Sequence, residues 1–477
     1  MRYTSEELPI RWTYRTLRAY YENNGLYDVI REMARGVGAE AQALRPLRNP
    51  AHRAVEFYAA KLWPGMLPDA LPIVAGNERI VEPIQQVWTW SGWSAAKQVA
   101  ARWFACYGDW FTKVVVKRDA GGAPQSVYFQ IIDAQYVTDL DADERGFLTF
   151  LRIDLPRRKR EGDGVKSYTY TEVWDKATQT YRVWEHGHGA DTALGQLGTP
   201  QRQAQFSEFS IDFVPVVHAK FRDVGEARGA GCFVHCLDKI DETNRSATRL
   251  HQMLWRHNKA MWALSANMQD SDGRPVPAPL IPRNDDDKVS LSDDEDWVEL
   301  PGLSTLQPLT PQIQYDAALA VVDAQIAEIE RDLPELAYYR LQERSDMSGV
   351  AIRTLLSAAT DRLVEARGNA ETALARLDAM ALTIGQNVGL FTGLGTYEDG
   401  DFEHSFQTRE AFPISPAEEA DMLMKWTAAG LPLASALRML GRGDEEIAQI
   451  IEEQTEARAA QTNLGDALLT RFDRGDV

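Results

Sequence analysis

From Cys232 to Ser265 the chain carries neither proline nor glycine, enough for one helix of about 50 Å at 1.5 Å per residue. Phe233, Leu237, Ile240, Ala247, Leu254 and Met261 fall on a 3.5-residue seam, which Asn244, His251 and Asn258 interrupt. A wet seam of that kind suits packing against a neighbouring chain better than a dry core within one subunit. Few folds accommodate so long a rod, so the segments on either side of it carry the rest of the argument.

Upstream, the first ~110 residues read as short helices rich in Trp and Tyr. Asn49-Pro50 opens one, with Val55, Tyr58, Ala59 and Leu62 on its inner face. A second spans about Trp93 to Tyr107, with Val99, Ala100, Trp103 and Phe104 facing inward. The period then becomes two over 110–118, 126–133, 147–155, 167–175 and 181–185, with turn clusters between, which predicts an antiparallel meander. Residues 187–205 read as polar loop, and 210–221, with Pro215 inside, as an edge strand.

Downstream, residues 268–310 are broken by prolines and carry two acidic runs, Asp285-Asp286-Asp287 and Asp293-Asp294-Glu295-Asp296. Short strands are expected there at 289–291 and 297–300. Thr310-Pro311 starts a helix that ends before Pro334, so two long helices bracket a small insertion. A loop over 335–347 leads to an Ala-rich helix from Ser348 to about Leu390, with Gly368 as its natural kink point. A β-like piece (402–407) precedes helices over 416–429, 433–440 and 444–458, the last capped by Asp444. The fold class expected is α+β, mainly helical.

Composition narrows the function. Fifty-one Lys and Arg against 70 Asp and Glu give a net charge of −19, which disfavours tight wrapping of nucleic acid. Three cysteines make no disulfide framework, and neither a signal-peptide h-region nor a bilayer-length apolar run is seen. A soluble chain in a reducing compartment, with no membrane partner, is expected. No Gly-Lys dipeptide occurs, so a Walker A loop is absent, as are His-Glu-x-x-His and Gly-x-Ser-x-Gly. No catalytic residue, cofactor site or metal site is therefore assigned, and the chain is expected not to be an enzyme.

Four clusters carry a functional reading beside an ordinary structural one. Cys232, His235 and Cys236 share one face of a helix start, but a closed zinc site wants four ligands, so a buried helix start is the simpler reading. The two acidic runs could attract Mg²⁺ or Ca²⁺, yet consecutive Asp residues cannot all face one ion. A partner-facing acidic surface fits them better. His186 and His188 lack a third ligand. Arg157-Arg158-Lys159-Arg160 is the strong basic run, read either as a solvated hairpin tip or as a contact for DNA or capsid.

The order of these elements resembles the tailed-phage portal (head-to-tail connector) family of siphophage type, over about residues 50 to 460. Gly229-Ala230-Gly231-Cys232-Phe233 running into Leu237-Asp238-Lys239-Ile240-Asp241-Glu242-Thr243-Asn244 is similar to the family's entry into its first stem helix. Ser348-Gly349-Val350-Ala351-Ile352 is similar to the start of its tunnel helix, and Gly430-Leu431-Pro432-Leu433-Ala434-Ser435 with the acidic helix after it to its crown.

The resemblance implies a portal fold: a wing of helices and β-meander (1–228), a two-helix stem (229–266 and 311–334) and a small α/β clip (267–310). It further implies a tunnel loop (335–347), a kinked tunnel helix with a short β piece (348–414) and a helical crown (415–477). Glu343, Arg344, Ser345, Asp346 and Met347 would be tunnel-loop candidates. The acids at 285–287 and 293–296 would meet adaptor or terminase, and Asn244, His251 and Asn258 would lie between subunits. Such proteins form a ring, a dodecamer, at one capsid vertex of the virion after assembly in the host cytoplasm. Double-stranded DNA is driven through the ring by the large terminase and later ejected, and head-tail adaptor, major capsid and scaffolding proteins are the other partners. The alternative reading is a cytoplasmic metal-dependent nuclease or hydrolase using the 285–296 acids, and a third is a scaffolding protein that binds partners through the same insertion.

Overall fold

The computed structural model describes residues 10–23, 45–161, 164–190, 192–258, 262–266, 268–269, 271–276, 304–308, 315–341, 349–410, 416–439 and 447–455. They form a mixed α+β protein of two units: residues 1–340 with 358–407, and residues 341–357 with 408–477.

The first unit begins with α1 (Ile10–Glu22), α2 (Ala51–Lys61), β1 (Ile73–Ala75), α3 (Val81–Trp90) and α4 (Trp93–Tyr107). Asn49 Oδ1 accepts from the Ala51 amide at 3.1 Å, and Val55, Tyr58, Ala59 and Leu62 are buried as their spacing predicts. Two long cations close the other end of α2. Lys97 Nζ donates to the Trp63 and Gly65 carbonyls (2.6 and 2.9 Å), and Arg367 donates to those of Lys61 and Leu62 (2.7 and 3.1 Å). Carbonyls at a helix end have no partner within the helix, and here buried cations supply it. On α4, Ala100 and Phe104 are buried, but Val99 is exposed and Trp103 half-buried. The inward face is therefore rotated from the one expected, and it takes in Trp93 and the stem of Lys97.

The period-two block makes two sheets rather than one meander. β2 (Asp109–Arg118) lies between β3 (Pro124–Ile132) and β9 (Val216–Lys220). The strands β4 (Val137–Ala142), β5 (Leu148–Glu161), β6 (Gly164–Asp175), β7 (Thr180–His186) and β8 (Arg202–Gln205) follow one another in a five-stranded antiparallel sheet. The sequence pattern predicts neither β4 nor β8. β8 sits at the end of the polar stretch, with only Ala204 buried among its four residues. The edge strand is shorter than the expected 210–221: Ser210 sits at φ +52° and pairing with β2 runs only from Val216 to Lys220. Trp63, Trp93 and Trp110 centre the first core with ring centroids 5.8–6.1 Å apart.

The Pro- and Gly-free run does not make one rod. It gives a 3₁₀ turn at 234–236, then α5 (Leu237–Asn258), then β10 (Trp262–Ala266). Absence of breakers permits a helix without enforcing it, and pairing with β13 (Ser304–Pro308) decides residues 262–266. β11 (Met268–Gln269) and β12 (Pro275–Val276) form a second small pair. α6 (Tyr315–Asp332) returns the chain, and α7 (Leu336–Leu341) is a short helix where the sequence predicts a loop. Leu336 is buried and anchors it.

α8 (Gly349–Asn387) is continuous through Gly368 and belongs to the first unit from residue 358. Leu363, Ala366, Ala370, Leu374, Leu377 and Ala381 are fully buried along it, the close approach its Ala content permits. β14 (His404–Phe406) pairs with β1, as the β-like piece predicts. There Asp378 accepts from the Trp88 indole (2.9 Å) and lies 3.3 Å from His404 Nε2.

In the second unit, α9 (Pro416–Ala428) and α10 (Leu433–Met439) are joined through Gly430 at φ +90°. The Leu431 amide donates to Trp426 and that of Gly430 to Thr427, both at 3.0 Å, which is a Schellman cap. A further helix covers 447–455. The expected cap at Asp444 and the strands at 289–291 and 297–300 lie outside the described residues.

Candidate functional site: the root of the helical arm

α5 leaves the β-rich body through the glycine-rich segment 225–231, and a buried carboxylate holds that exit. Asp109, first residue of β2, accepts from Tyr14 Oη (2.5 Å) and from the Gly229 amide (2.9 Å), and lies 2.6 Å from His218 Nε2. Arg228 then donates to the Val137 carbonyl (2.8 Å) and covers the Phe111 ring, against which His218 stacks at 4.3 Å. Burial and the neighbouring Asp109 push the Tyr14 phenol well up, so it stays a donor. Gly108, Gly229 and Gly231 cross here; a Cβ on Gly108 would lie 2.5 Å from the Gly229 oxygen.

At the base of the arm Lys239 of α5 reaches Asp332 (2.6 Å) and Glu328 (2.7 Å) of α6. The start of α5 thus meets the end of α6, and the two helices run antiparallel. Cys236 Sγ donates to Asp332 at 3.9 Å, and His235 Nε2 is 3.2 Å from the Asp332 carbonyl. Burial pushes the Cys236 thiol up to about 12 and that of Cys232 well up, which keeps both protonated. Among the described residues no group of three or more His, Cys, Asp or Glu is arranged to hold a metal ion.

Beneath the arm lies Glu335, with no exposed surface. Neither carboxylate oxygen has a hydrogen-bond partner among the described residues, and Arg362 Nη1 is 3.7 Å away. Burial raises this carboxyl to about 7, against the opposing pull of its own backbone amide and of Arg362.

The outward face of α6 is apolar. Val322 and Ile329 are buried, yet Ala317, Ala320, Val321 and Ala324 are exposed on another stripe, Val321 by 55%. On α5 the wet seam is partly consumed within the chain. Asn244 is fully buried and accepts from the Arg48 amide (2.6 Å), and Thr248 accepts from that of Arg45 (3.2 Å). An irregular segment such as 45–49 has amides that need acceptors, and Asn244 and Thr248 supply two of them. His251 is exposed, and nothing is described of the Asn258 side chain.

The basic run stands elsewhere, on the far end of β5. Arg157, Arg158, Lys159 and Arg160 are exposed, and Arg157 lies 3.9 Å above the Tyr170 ring. His186, at the end of β7, is 2.8 Å from Thr171 Oγ1, which donates to buried Asp154 at 2.5 Å. Burial lowers the His186 imidazole, so its role is that of a neutral strut in the sheet. Glu343, Arg344, Ser345, Asp346 and Met347, and the acids at 285–287 and 293–296, lie outside the described residues. Sequence reasoning missed the Asp109 knot and Glu335. For Asp109 a signal existed in Gly108 and Gly229, two glycines flanking an isolated acid and an isolated Arg228.

No protein-family profile and no curated protein matches the sequence. Among solved structures, the chain is similar to one in the virion of a native gene transfer agent particle (TM-score 0.44, 12% identity), covering 87% of this chain and 98% of that one. It is also similar to chains in the neck of the native particle computed with C12 symmetry (0.41, 11% identity, 83% and 90% covered) and in the neck of the empty particle computed with C6 symmetry (0.40, 13% identity, 86% and 97% covered). No helix among the described residues is long and apolar enough to cross a membrane.

Proposed function

We propose that this chain is the subunit of a portal ring at one capsid vertex, a non-enzymatic conduit through which double-stranded DNA is packaged by terminase and later ejected. The insertion 267–310 is the docking platform for head-tail adaptor and terminase, through the acids at 285–287 and 293–296. The observation that carries this reading is the arm. Two antiparallel helices leave the body at one root, bracket an inserted β segment, and present an apolar stripe on α6 to solvent. A helix with apolar residues on more than one face requires a second cover, and side-by-side packing of identical arms supplies it. Native mass measured across salt concentrations tests it. A species near twelve times the 53.5 kDa chain supports the ring. Monomers at every concentration, with Mg²⁺-dependent DNA cleavage that Asp293→Ala removes, would replace it with the nuclease reading.

A further inference from the structure

β5 and β6 outrun their sheet. The last rung shared with β7 is Thr169 to His186, and β4 pairs no further than Ile153. From Pro156 to Glu161 and from Gly164 to Tyr168 the two strands therefore form a ribbon with no lateral neighbour among the described residues. Residues 156–160 and 164–167 are exposed. This stretch holds five cations, Arg157, Arg158, Lys159, Arg160 and Lys166, against two acids, Glu161 and Asp163, in a chain whose net charge is −19.

The register makes the charge arrangement costly. Lys159 stands directly opposite Lys166 and Arg157 opposite Tyr168 on one face, and Arg158 and Arg160 occupy the other opposite Ser167 and Val165. Like charges directly across a ladder destabilise a hairpin, and no salt bridge relieves Lys159 or Lys166 among the described residues. An anionic partner would relieve it.

Geometry suggests which anion. Residues two apart on a strand are about 6.7 Å apart, close to the step between consecutive phosphates along one DNA strand. Arg158 and Arg160 therefore match two successive phosphates, and Lys159 with Lys166 present a second pair across the ribbon. A two-stranded ribbon is also narrow enough to enter the major groove of a duplex. Arg157, held over Tyr170 at 3.9 Å, stiffens the base of the ribbon.

We propose that the paired strands 156–161 and 164–168 bind the phosphate backbone of double-stranded DNA without reading its sequence. The proposal rests on the reading of this chain as a handler of duplex DNA. It is tested with the full-length protein and a labelled 30-base-pair duplex, by fluorescence anisotropy from low to physiological salt. Arg158→Gln with Arg160→Gln, and Lys159→Gln with Lys166→Gln, are compared with the unaltered chain and with Lys117→Gln. Each double variant is expected to weaken binding at least tenfold at low salt and to lower the salt slope by about 2, close to one for each phosphate no longer neutralised. Thermal melting should fall in none of them, and the Lys159→Gln with Lys166→Gln variant should melt at or above the unaltered chain, because its like-charge pair is gone.

Equal affinity and slope in the unaltered chain and both double variants would overturn the proposal. So would tighter binding of a peptide spanning residues 283–298 than of the duplex, which would assign the ribbon to the acidic insertion of a second copy. Native mass in the same samples separates the two readings. A ring that binds duplex independently of the ribbon removes this proposal alone, and monomers whose binding the variants abolish remove the ring alone.

Discussion

Gly108 and Gly229 cross backbone to backbone at the root of the arm, so closely that a methyl group on either would overlap the other residue's carbonyl. Gly108 also sits at φ +83°, where it ends α4 and turns straight into β2. A helix terminus, a strand start and the exit toward α5 thus share one point, and no side chain could be added there without separating them.

Gly229→Ala should accordingly destabilise the protein by about 2–4 kcal/mol, since backbone rather than a flexible side chain must move. Gly187→Ala, where nothing lies within 4 Å of the new methyl, should stay within about 0.5 kcal/mol. Urea titration of both variants checks the pair.

Asp109→Ala should cost about 3–5 kcal/mol, because Tyr14, His218 and the Gly229 amide lose one buried acceptor together. Tyr14→Phe removes a single bond and should cost about 1–2 kcal/mol. Comparable losses in both would mean the carboxylate is not the centre of the knot.

Glu335 gives stability a pH dependence of defined sign. Its folded-state value of about 7 lies above the ordinary 4.5, so the folded protein holds the proton more tightly than the unfolded chain. Stability should fall as pH rises from about 4.5 to about 7, by an amount on the order of 3 kcal/mol. Glu335→Gln should flatten this part of the profile and leave the protein more stable at pH 8. A profile from denaturant melts that is identical in both proteins would show that Glu335 is not what titrates.

Val321→Glu places a charge on the outer stripe of α6 at a half-exposed position. The variant should fold normally, with an unchanged circular dichroism melt, yet fail to form the large species expected in native mass measurements. Assembly at unaltered yield would show that this stripe is not covered by a neighbour.

Much of the architecture is legible in the sequence, because it depends on local pattern. The helix at 93–107 and the β5–β7 strands follow from periodicity, and the helix–insertion–helix order from proline placement. What escapes depends on partners distant in sequence. Residues 262–266 become a strand through 304–308, and Asp109 acquires meaning from Tyr14, His218 and Gly229, about a hundred residues away on either side. The basic run is visible as composition. Its cross-strand partner Lys166, and the ending of β7 that leaves the ribbon alone, are not.

The pairing of Ala266 with Ser304 has one more consequence. The chain leaves this ladder after Ala266 and returns to it at Ser304, two points held side by side. Doubling the length of a flexible loop adds only about 0.6 kcal/mol to its closure cost. A change in chain length between these two points should thus cost little while the Asp109 knot and the Lys239 ion pairs stay as they are.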